Sequence, residues 1–477
     1  MLIEKRDEEK LKLLYLLWKY NNYEEVPLQN FAYELSIDKR SLRRRLEELL
    51  ADLETVDNNY GSILVSDASL KISFSNVFDE NKLIALYSER SVLFNLALSI
   101  LMNDFESVET FAKRNFISSV TLYRKLPVLK EELDRLGLRL DLRTTEKILG
   151  NERQIRLFYF YLLIGISDYL DIFSNKDEFV ENSFHPFFKL WLLITHFRLA
   201  NNYVISTYDD IDSISTFLIS LDQFQASYLP ELDSFLSPYQ LDNFNKSREI
   251  HSMYIFISHI SLIYLSQDEL STIHLNRDKR NYTNLLEVRT IIWIENFCDY
   301  FHFYLSDYQF AFMFYLILQT QITEYYLVTI DTEWFYGHSY KFSSYNGIGV
   351  LNDKLDAFFD HLKKVGWFVT NSTSYSVLGY KEKLFSIIPE LLQPVNVTIL
   401  SRYDYSHRYF IKNMLLSIST VKIVFSDAIT ADTQFVIHDY PLQFNHSIKS
   451  IRIRIHPFPS EIDYIKRALE DEYYNQL

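Results

Sequence analysis

The chain has 477 residues, 48 % of them hydrophobic, and its 48 basic and 63 acidic side chains give a formal net charge of -15. This length predicts several domains, and such an acidic chain is expected to bind nucleic acid only through a local basic surface. The single cysteine, Cys298, excludes an intramolecular disulfide framework and a cysteine-based zinc site, and it suits a reducing compartment.

The first 76 residues have the pattern of a winged helix-turn-helix unit. Leucines and aromatic residues recur at three- and four-residue spacings over 8–20, as in an amphipathic helix. Short helices are predicted at 27–35 and from the capping Asp38 to about residue 53. The alternating stretch at 60–75 predicts a hairpin. The charged N-terminus has no signal-peptide pattern, which predicts a cytoplasmic protein.

An internal repeat predicts a second unit of the same kind. Residues 31–50 align with 111–130, and Ala32 and Ala112 both occupy the position where a small residue lets two helices cross closely. Ten positions later, Leu42 and Leu122 are expected to pin the second helix of each pair to its core.

The turn between the two helices departs from the commonest pattern. Ser36 and Phe116 stand where glycine is most frequent, which lowers the specificity of the match. After the second pair, residues 138–150 predict another strand-turn-strand, and a new helix is expected to begin near Asn151.

Basic residues concentrate in the second helix of each pair. Five of the seven positions from Lys39 to Arg45 are basic, and residues 113–130 contain five basic side chains and no acidic one. A recognition helix presents its N-terminal turns to the major groove, so this order predicts DNA binding. For either segment alone, an ordinary solvated helix face is the competing interpretation. The residues predicted to contact DNA are Lys39, Arg40, Ser41, Arg43, Arg44, Arg45, Arg114, Ser118, Ser119, Thr121, Arg124 and Lys125.

Pro127 is expected to kink or interrupt the second recognition helix.

The rest of the chain predicts two aromatic-rich helical bundles and a small C-terminal α/β domain with a largely parallel sheet. No apolar run reaches the roughly 20 residues of a membrane span. Enzyme motifs are absent, so no catalytic residue, cofactor or metal ligand is assigned. The predicted fold is mainly α and multidomain, with domains at 1–76, 77–152, 153–282, 283–392 and 393–477.

The order of these parts resembles the Mga and AtxA group of bacterial virulence regulators over essentially the whole chain. The most specific segments are 118–141 with the following 148–158, and the basic helix at 38–49. The resemblance implies helical bundles similar to phosphotransferase-system regulation domains (PRD-like) and a tail similar to the EIIB component of sugar phosphotransferases. That component carries phosphate on a cysteine after its first strand, but no cysteine follows Cys298 here.

Regulation domains of this type can carry phosphate on histidine, and four histidines are candidates by placement: His185, His196, His302 and His361. His196 and His361 are preferred because cationic residues follow them closely. For each site, an ordinary packed or surface histidine is the competing interpretation.

The sequence thus predicts a cytoplasmic global transcriptional regulator that binds double-stranded promoter DNA. The resemblance implies a homodimer or higher oligomer, modulation by a phosphotransferase-system phosphocarrier protein, and no membrane partner. The alternative is a protein-interaction or phosphorelay adaptor in which the helix-turn-helix folds serve only as scaffolding.

Overall fold

The computed structural model describes residues 2–21, 25–170, 173, 185–206, 231–259, 285–326, 349–367, 374–402, 405–419, 421–441, 448–454 and 457–477. The chain divides into two compact units. The first contains Met1–Tyr264 and Ile322–Lys341, and the second contains Leu265–Gln321 and Phe342–Leu477. The predicted boundary between the two bundles, at 282/283, lies outside the described residues.

The first unit opens with three helices and a three-stranded sheet, in the order expected for a winged helix-turn-helix. Its elements are α1 (Lys5–Lys19), β1 (Val26–Pro27), α2 (Leu28–Glu34), α3 (Lys39–Val56), β2 (Gly61–Val65) and β3 (Ser69–Phe74). The antiparallel sheet has the order β1-β3-β2. Apolar side chains from all three helices and the wing share one core, as the periodicity predicts. Pro27, predicted to open the second helix, instead pairs with Ser69 in β1, and the helix begins one residue later.

Two short helices follow, α4 (Asn81–Arg90) and α5 (Val92–Leu101). The first of these packs on the core just described, because Leu83 and Tyr87 belong to it and the Tyr87 hydroxyl donates to Asp52 at 2.9 Å. Within the described residues no single helix is long and apolar enough to cross a membrane. The α4–α5 pair passes that test only jointly, and it is bent by 88°.

The second winged helix-turn-helix comprises α6 (Val108–Arg114), α7 (Ser119–Asp134), β4 (Arg139–Leu140) and β5 (Ile148–Leu149). The helix α7 runs through Pro127 without a break, so the predicted interruption there is wrong. Pro127 is exposed, and water at the helix surface can replace the hydrogen bond that its missing N–H would make.

Three further helices of the first unit follow: α8 (Glu152–Leu163), α9 (Pro186–Ala200) and α10 (Asn243–His259). Asn151 caps α8 by accepting a hydrogen bond from the Arg153 N–H at 2.9 Å, so the predicted helix start is confirmed. The Trp191 and Phe256 rings stack at 4.0 Å between centroids and join α9 to α10.

In its described residues, the second unit has four helices followed by a parallel sheet that carries two more. The helices are α11 (Leu285–Phe301), α12 (Asp307–Tyr326, of which the last five residues fall in the first unit), α13 (Gly349–Lys364) and α14 (Ser374–Leu391). Trp293 joins three of them, because its ring on α11 lies 5.4 Å from that of Tyr380 on α14 and 5.5 Å from that of Phe358 on α13.

The C-terminal sheet confirms the predicted largely parallel arrangement. Its strands β6 (Val395–Leu400), β7 (Ile423–Ser426), β8 (Phe435–His438) and β9 (Lys449–Arg452) are all parallel in the order β7-β6-β8-β9. The helices α15 (Tyr405–Ile418) and α16 (Pro459–Tyr474) supply the helical part of the predicted α/β domain. Strands with alternating helices need such crossovers to run parallel.

Candidate nucleic-acid interface

The two helix-turn-helix pairs have the same backbone geometry. Ser36 and Phe116 both adopt a left-handed conformation with φ of 53°. In each turn, the following N–H closes onto the alanine of the first helix, from Ile37 to Ala32 at 2.9 Å and from Ile117 to Ala112 at 3.0 Å. The alanines are nearly buried, and Leu42 and Leu122 are fully buried, so the roles predicted for these positions are confirmed.

A carboxylate organises the start of the first recognition helix, α3. The Asp38 side chain accepts hydrogen bonds from the backbone N–H groups of Arg40 at 2.9 Å and Ser41 at 3.0 Å, and from the Ser41 hydroxyl at 2.7 Å. These bonds, that of the Ser41 hydroxyl first, lower the pKa of Asp38. The hydroxyl of Ser41 is therefore engaged in the cap in this structure.

The five basic side chains of α3 fall into two groups. Lys39, Arg40 and Arg44 are exposed on the outer side. Arg43 donates to the main-chain oxygen of Asp67, at the tip of the wing, at 2.7 Å. Arg45 is only 20 % exposed and lies 2.8 Å from the Glu9 carboxylate on α1. The structure thus leaves three of these cations exposed, although Arg44 lies 4.0 Å from the Glu48 carboxylate. It engages Arg43 and Arg45 in contacts with the wing and α1.

The second recognition helix, α7, is capped by Ser118, which accepts from the Thr121 N–H at 3.0 Å and shares a hydrogen bond with the Thr121 hydroxyl at 2.8 Å. Ser119 is the first residue of the helix and is partly exposed. Arg124 is exposed on the outer side, whereas the ammonium group of Lys125 lies 2.6 Å from the carboxylate of Glu4.

Arg114 precedes the turn and forms a local ion-pair cluster. Its guanidinium donates to Asp104 at 2.9 Å and to Glu106 at 2.8 Å. The hydrogen bond to Asp104, with the charges of both carboxylates, raises the pKa of Arg114. This side chain is partly exposed, but two carboxylates already offset its charge.

Sequence reasoning missed an apolar surface on the second pair. Phe116 is 97 % exposed, Val120 77 % and Tyr123 56 %, and Val128 is also exposed further along the helix. The buried leucines of α7 recur at helical spacing along its inner face, and these four apolar residues lie outside that spacing. Apolar residues away from the buried stripe of an amphipathic helix are visible in the sequence, and they could have indicated this exposed surface.

A buried ionic network joins the second wing to the helices behind it. Arg198 on α9 contacts Glu146, next to β5, at 3.2 Å and Glu152 at 2.6 Å. Arg156 contacts Glu249 on α10 at 2.5 Å, and both side chains are fully buried. Burial acts to lower the pKa of Arg156, but the charges of Glu249 and Glu152 outweigh it and raise that pKa.

The candidate histidines occupy different environments. His196 is partly buried in α9, its Nδ1 shares a 2.6 Å hydrogen bond with the Tyr239 hydroxyl, and burial lowers its pKa. His361 lies in the last turn of α13, with its ring 5.1 Å from that of Tyr300. His185 accepts from the Phe187 N–H at the start of α9, and His302 has a φ of 58° just after α11.

Ser401 follows β6, the first strand of the C-terminal sheet. Its hydroxyl donates to the buried Asp439 carboxylate at 2.5 Å, and the Arg402 N–H donates to the same group at 2.9 Å. Where described, the chain contains no cluster of three or more His, Cys, Asp or Glu side chains able to hold a metal ion.

Two helix-turn-helix pairs, each followed by a short antiparallel sheet and each with outward-facing cations, have a geometry typical of DNA-binding winged-helix proteins. Residues 76–163 match the family model described as the Mga helix-turn-helix domain. This segment contains the whole second pair and its wing, and the match supports a Mga-like regulator, as the sequence resemblance implies. No curated protein matches the chain.

Proposed function

We propose that this chain is a Mga-type transcriptional regulator that binds double-stranded promoter DNA through both recognition helices. The observation that carries the proposal is the second pair, which lies within the matched segment and points Arg124 outward from α7. The first pair, with the same turn geometry, adds Lys39, Arg40 and Arg44 on its outer side.

The charge distribution supports this assignment. Residues 1–150 carry 22 basic and 25 acidic side chains, whereas the remainder carries 26 and 38, so most of the excess negative charge lies downstream of the two units. Phosphate contacts by Lys and Arg supply most of the sequence-independent affinity for DNA. The outward cations of α3 and α7 are placed to make them.

The salt dependence of binding tests the proposal. An Arg40→Ala/Arg44→Ala double variant should bind duplex DNA more weakly, and the slope of log affinity against log salt should fall by about 0.9 for each phosphate that the variant no longer neutralises. The matched control is Lys363→Ala/Lys364→Ala, which removes the same charge from exposed positions of α13. If both double variants keep the wild-type slope, α3 does not contact DNA.

The same experiment distinguishes the proposed DNA-binding regulator from the alternative, a protein-interaction or phosphorelay adaptor. An adaptor that uses the helix-turn-helix folds as scaffolding should show no salt-dependent affinity for duplex DNA, either as wild type or as either double variant. Retention of residues 1–150, but not 151–477, on heparin would agree with the DNA-binding function.

The proposal includes modulation by phosphate on histidine, donated by a phosphotransferase-system phosphocarrier. His196 is the stronger candidate, because its hydrogen bond to Tyr239 orients the ring and its lowered pKa favours the neutral, nucleophilic form. Phosphate there would add a strongly negative group at a partly buried position of α9. Acid-labile phosphate mapping after incubation with phosphoenolpyruvate and the general phosphotransferase proteins tests His196 and His361 together, and absence of label on both removes this part.

The proposal also includes self-association through the C-terminal domain. In the second unit, β7 and β9 are the edge strands of the sheet, and α15 exposes Phe410 and Leu416. Strand edges and exposed apolar residues need a partner or a cover. A dimer would also bind two DNA segments at once and so strengthen weak individual contacts.

A further inference from the structure

The second recognition helix has an outer face that is chemically unlike that of the first. The 80-residue repeat places an aromatic or aliphatic residue on α7 where α3 and its turn have a polar one. The corresponding pairs are Ser36 with Phe116, Arg40 with Val120, and Arg43 with Tyr123. The apolar members are exposed, so the core does not explain them.

Of these three apolar residues, Phe116 carries the largest unfavourable free energy in the folded chain. A left-handed φ of 53° is unfavourable for any side chain with a Cβ, and glycine would avoid that cost. Its ring is also almost entirely in water. Strain retained together with an exposed aromatic ring indicates a functional surface.

We propose that Val120 and Tyr123, extended by Phe116, read thymine C5-methyl groups in the major groove, whereas α3 mainly contacts phosphates. This inference rests on the proposed function. The N-terminal turns of a recognition helix approach the base edges, and Val120 and Tyr123 lie within the first two turns of α7. The thymine methyl is the apolar group of the major groove, and apolar side chains recognise it by contact.

The surrounding charge favours DNA over a second protein as the occupant. Residues 113–130 contain no carboxylate, although the chain as a whole is acidic. Arg124 directly follows Tyr123 and is exposed beside it, so the apolar residues and an outward cation approach the same partner. A polyanion with methyl groups in its groove matches both properties.

Replacing thymine by uracil in the DNA duplex removes only the C5-methyl group, so it tests whether α7 reads thymine methyl groups. The probe is a duplex of about three helical turns, selected from a random-sequence pool by the intact wild-type chain, then prepared with thymine or with uracil. Wild type should bind the uracil duplex about fourfold more weakly for each methyl group it buries. A Val120→Ala/Tyr123→Ala double variant should bind the thymine duplex more weakly than wild type does, and it should lose less than wild type on the uracil duplex, because only Phe116 remains to contact a methyl group.

Val128→Ala is the matched control, because Val128 is exposed on the same helix but lies beyond the base-contacting turns. It should keep the wild-type response to uracil. Equal binding of both duplexes by wild type, with normal salt dependence, overturns thymine readout and leaves the proposed function standing. Absence of any duplex binding by wild type overturns both. If Val120→Ala/Tyr123→Ala binds both duplexes as wild type does, this surface serves another purpose and the proposal is wrong.

Discussion

Single residues in the two turns carry a conformational cost that the repeat preserves. Ser36 and Phe116 have the same left-handed φ, and each is followed by the same N–H to alanine hydrogen bond. A residue with a Cβ costs roughly 1–2 kcal/mol in this conformation. Glycine would relieve the strain at either position. Phe116 carries the exposed ring to which we assign a role in DNA recognition, whereas Ser36 has no such ring.

Ser36→Gly is therefore expected to stabilise the first helix-turn-helix pair and its wing against unfolding by about 1 kcal/mol, without affecting DNA binding. Native-state hydrogen exchange at the Leu42 and Leu46 amides of α3 measures the gain. The control is Ser99→Gly in α5, where the backbone is helical and glycine should instead destabilise by about 0.5 kcal/mol. Unchanged or faster exchange in the Ser36 variant would show that the turn is not strained.

At the scale of elements, the basic helices are both contact surfaces and structural parts. Arg45 and Lys125 occupy equivalent positions in the repeat, and each pairs with a carboxylate of the N-terminal segment, Glu9 and Glu4 respectively. Their loss should disturb how α1 packs with the recognition helices as well as any DNA contact. Arg40 and Arg44 are cleaner probes of binding for this reason.

The ionic network behind the second wing is expected to dominate the stability of the α8–α10 helices. Arg156→Met should destabilise the first unit by about 3–5 kcal/mol, because the fully buried Glu249 carboxylate loses its closest cation. The chemical denaturation midpoint of this unit, with a value below wild type, is the measurement.

The double variant Arg156→Met/Glu249→Met supplies the control for this network. It removes both buried charges and should recover much of the loss, since neither group is then left unpaired. Equal destabilisation by the single and double variants would mean that packing, and not the buried charge, sets the cost.

At the scale of the whole molecule, the C-terminal domain is expected to hold the dimer. A chain ending at Leu392 should sediment as a monomer where the full chain sediments as a dimer. Because Lys354 donates to the main-chain oxygen of Leu477 at 3.0 Å, truncation also removes contacts of α13, so a second variant is needed. Phe410→Glu in the full chain should weaken the dimer alone, and Val65→Glu in the first wing should not. Undiminished dimer in both C-terminal variants would place the contact elsewhere.

The sequence by itself determined the two helix-turn-helix pairs, their wings and the parallel C-terminal sheet. Helical and strand periodicities, turn residues and the 80-residue repeat are local signals, and each survives in the folded chain because one face of every element must be buried. Only the tertiary structure decided which cations are available to DNA. Arg43, Arg45 and Lys125 meet partners at Asp67, Glu9 and Glu4, which are 24, 36 and 121 positions away in the chain. Long-range packing brings such partners together, so no local pattern could assign these contacts. For Phe116, Val120 and Tyr123 the departure from the apolar stripe is a local signal, but only the folded chain shows that they are exposed.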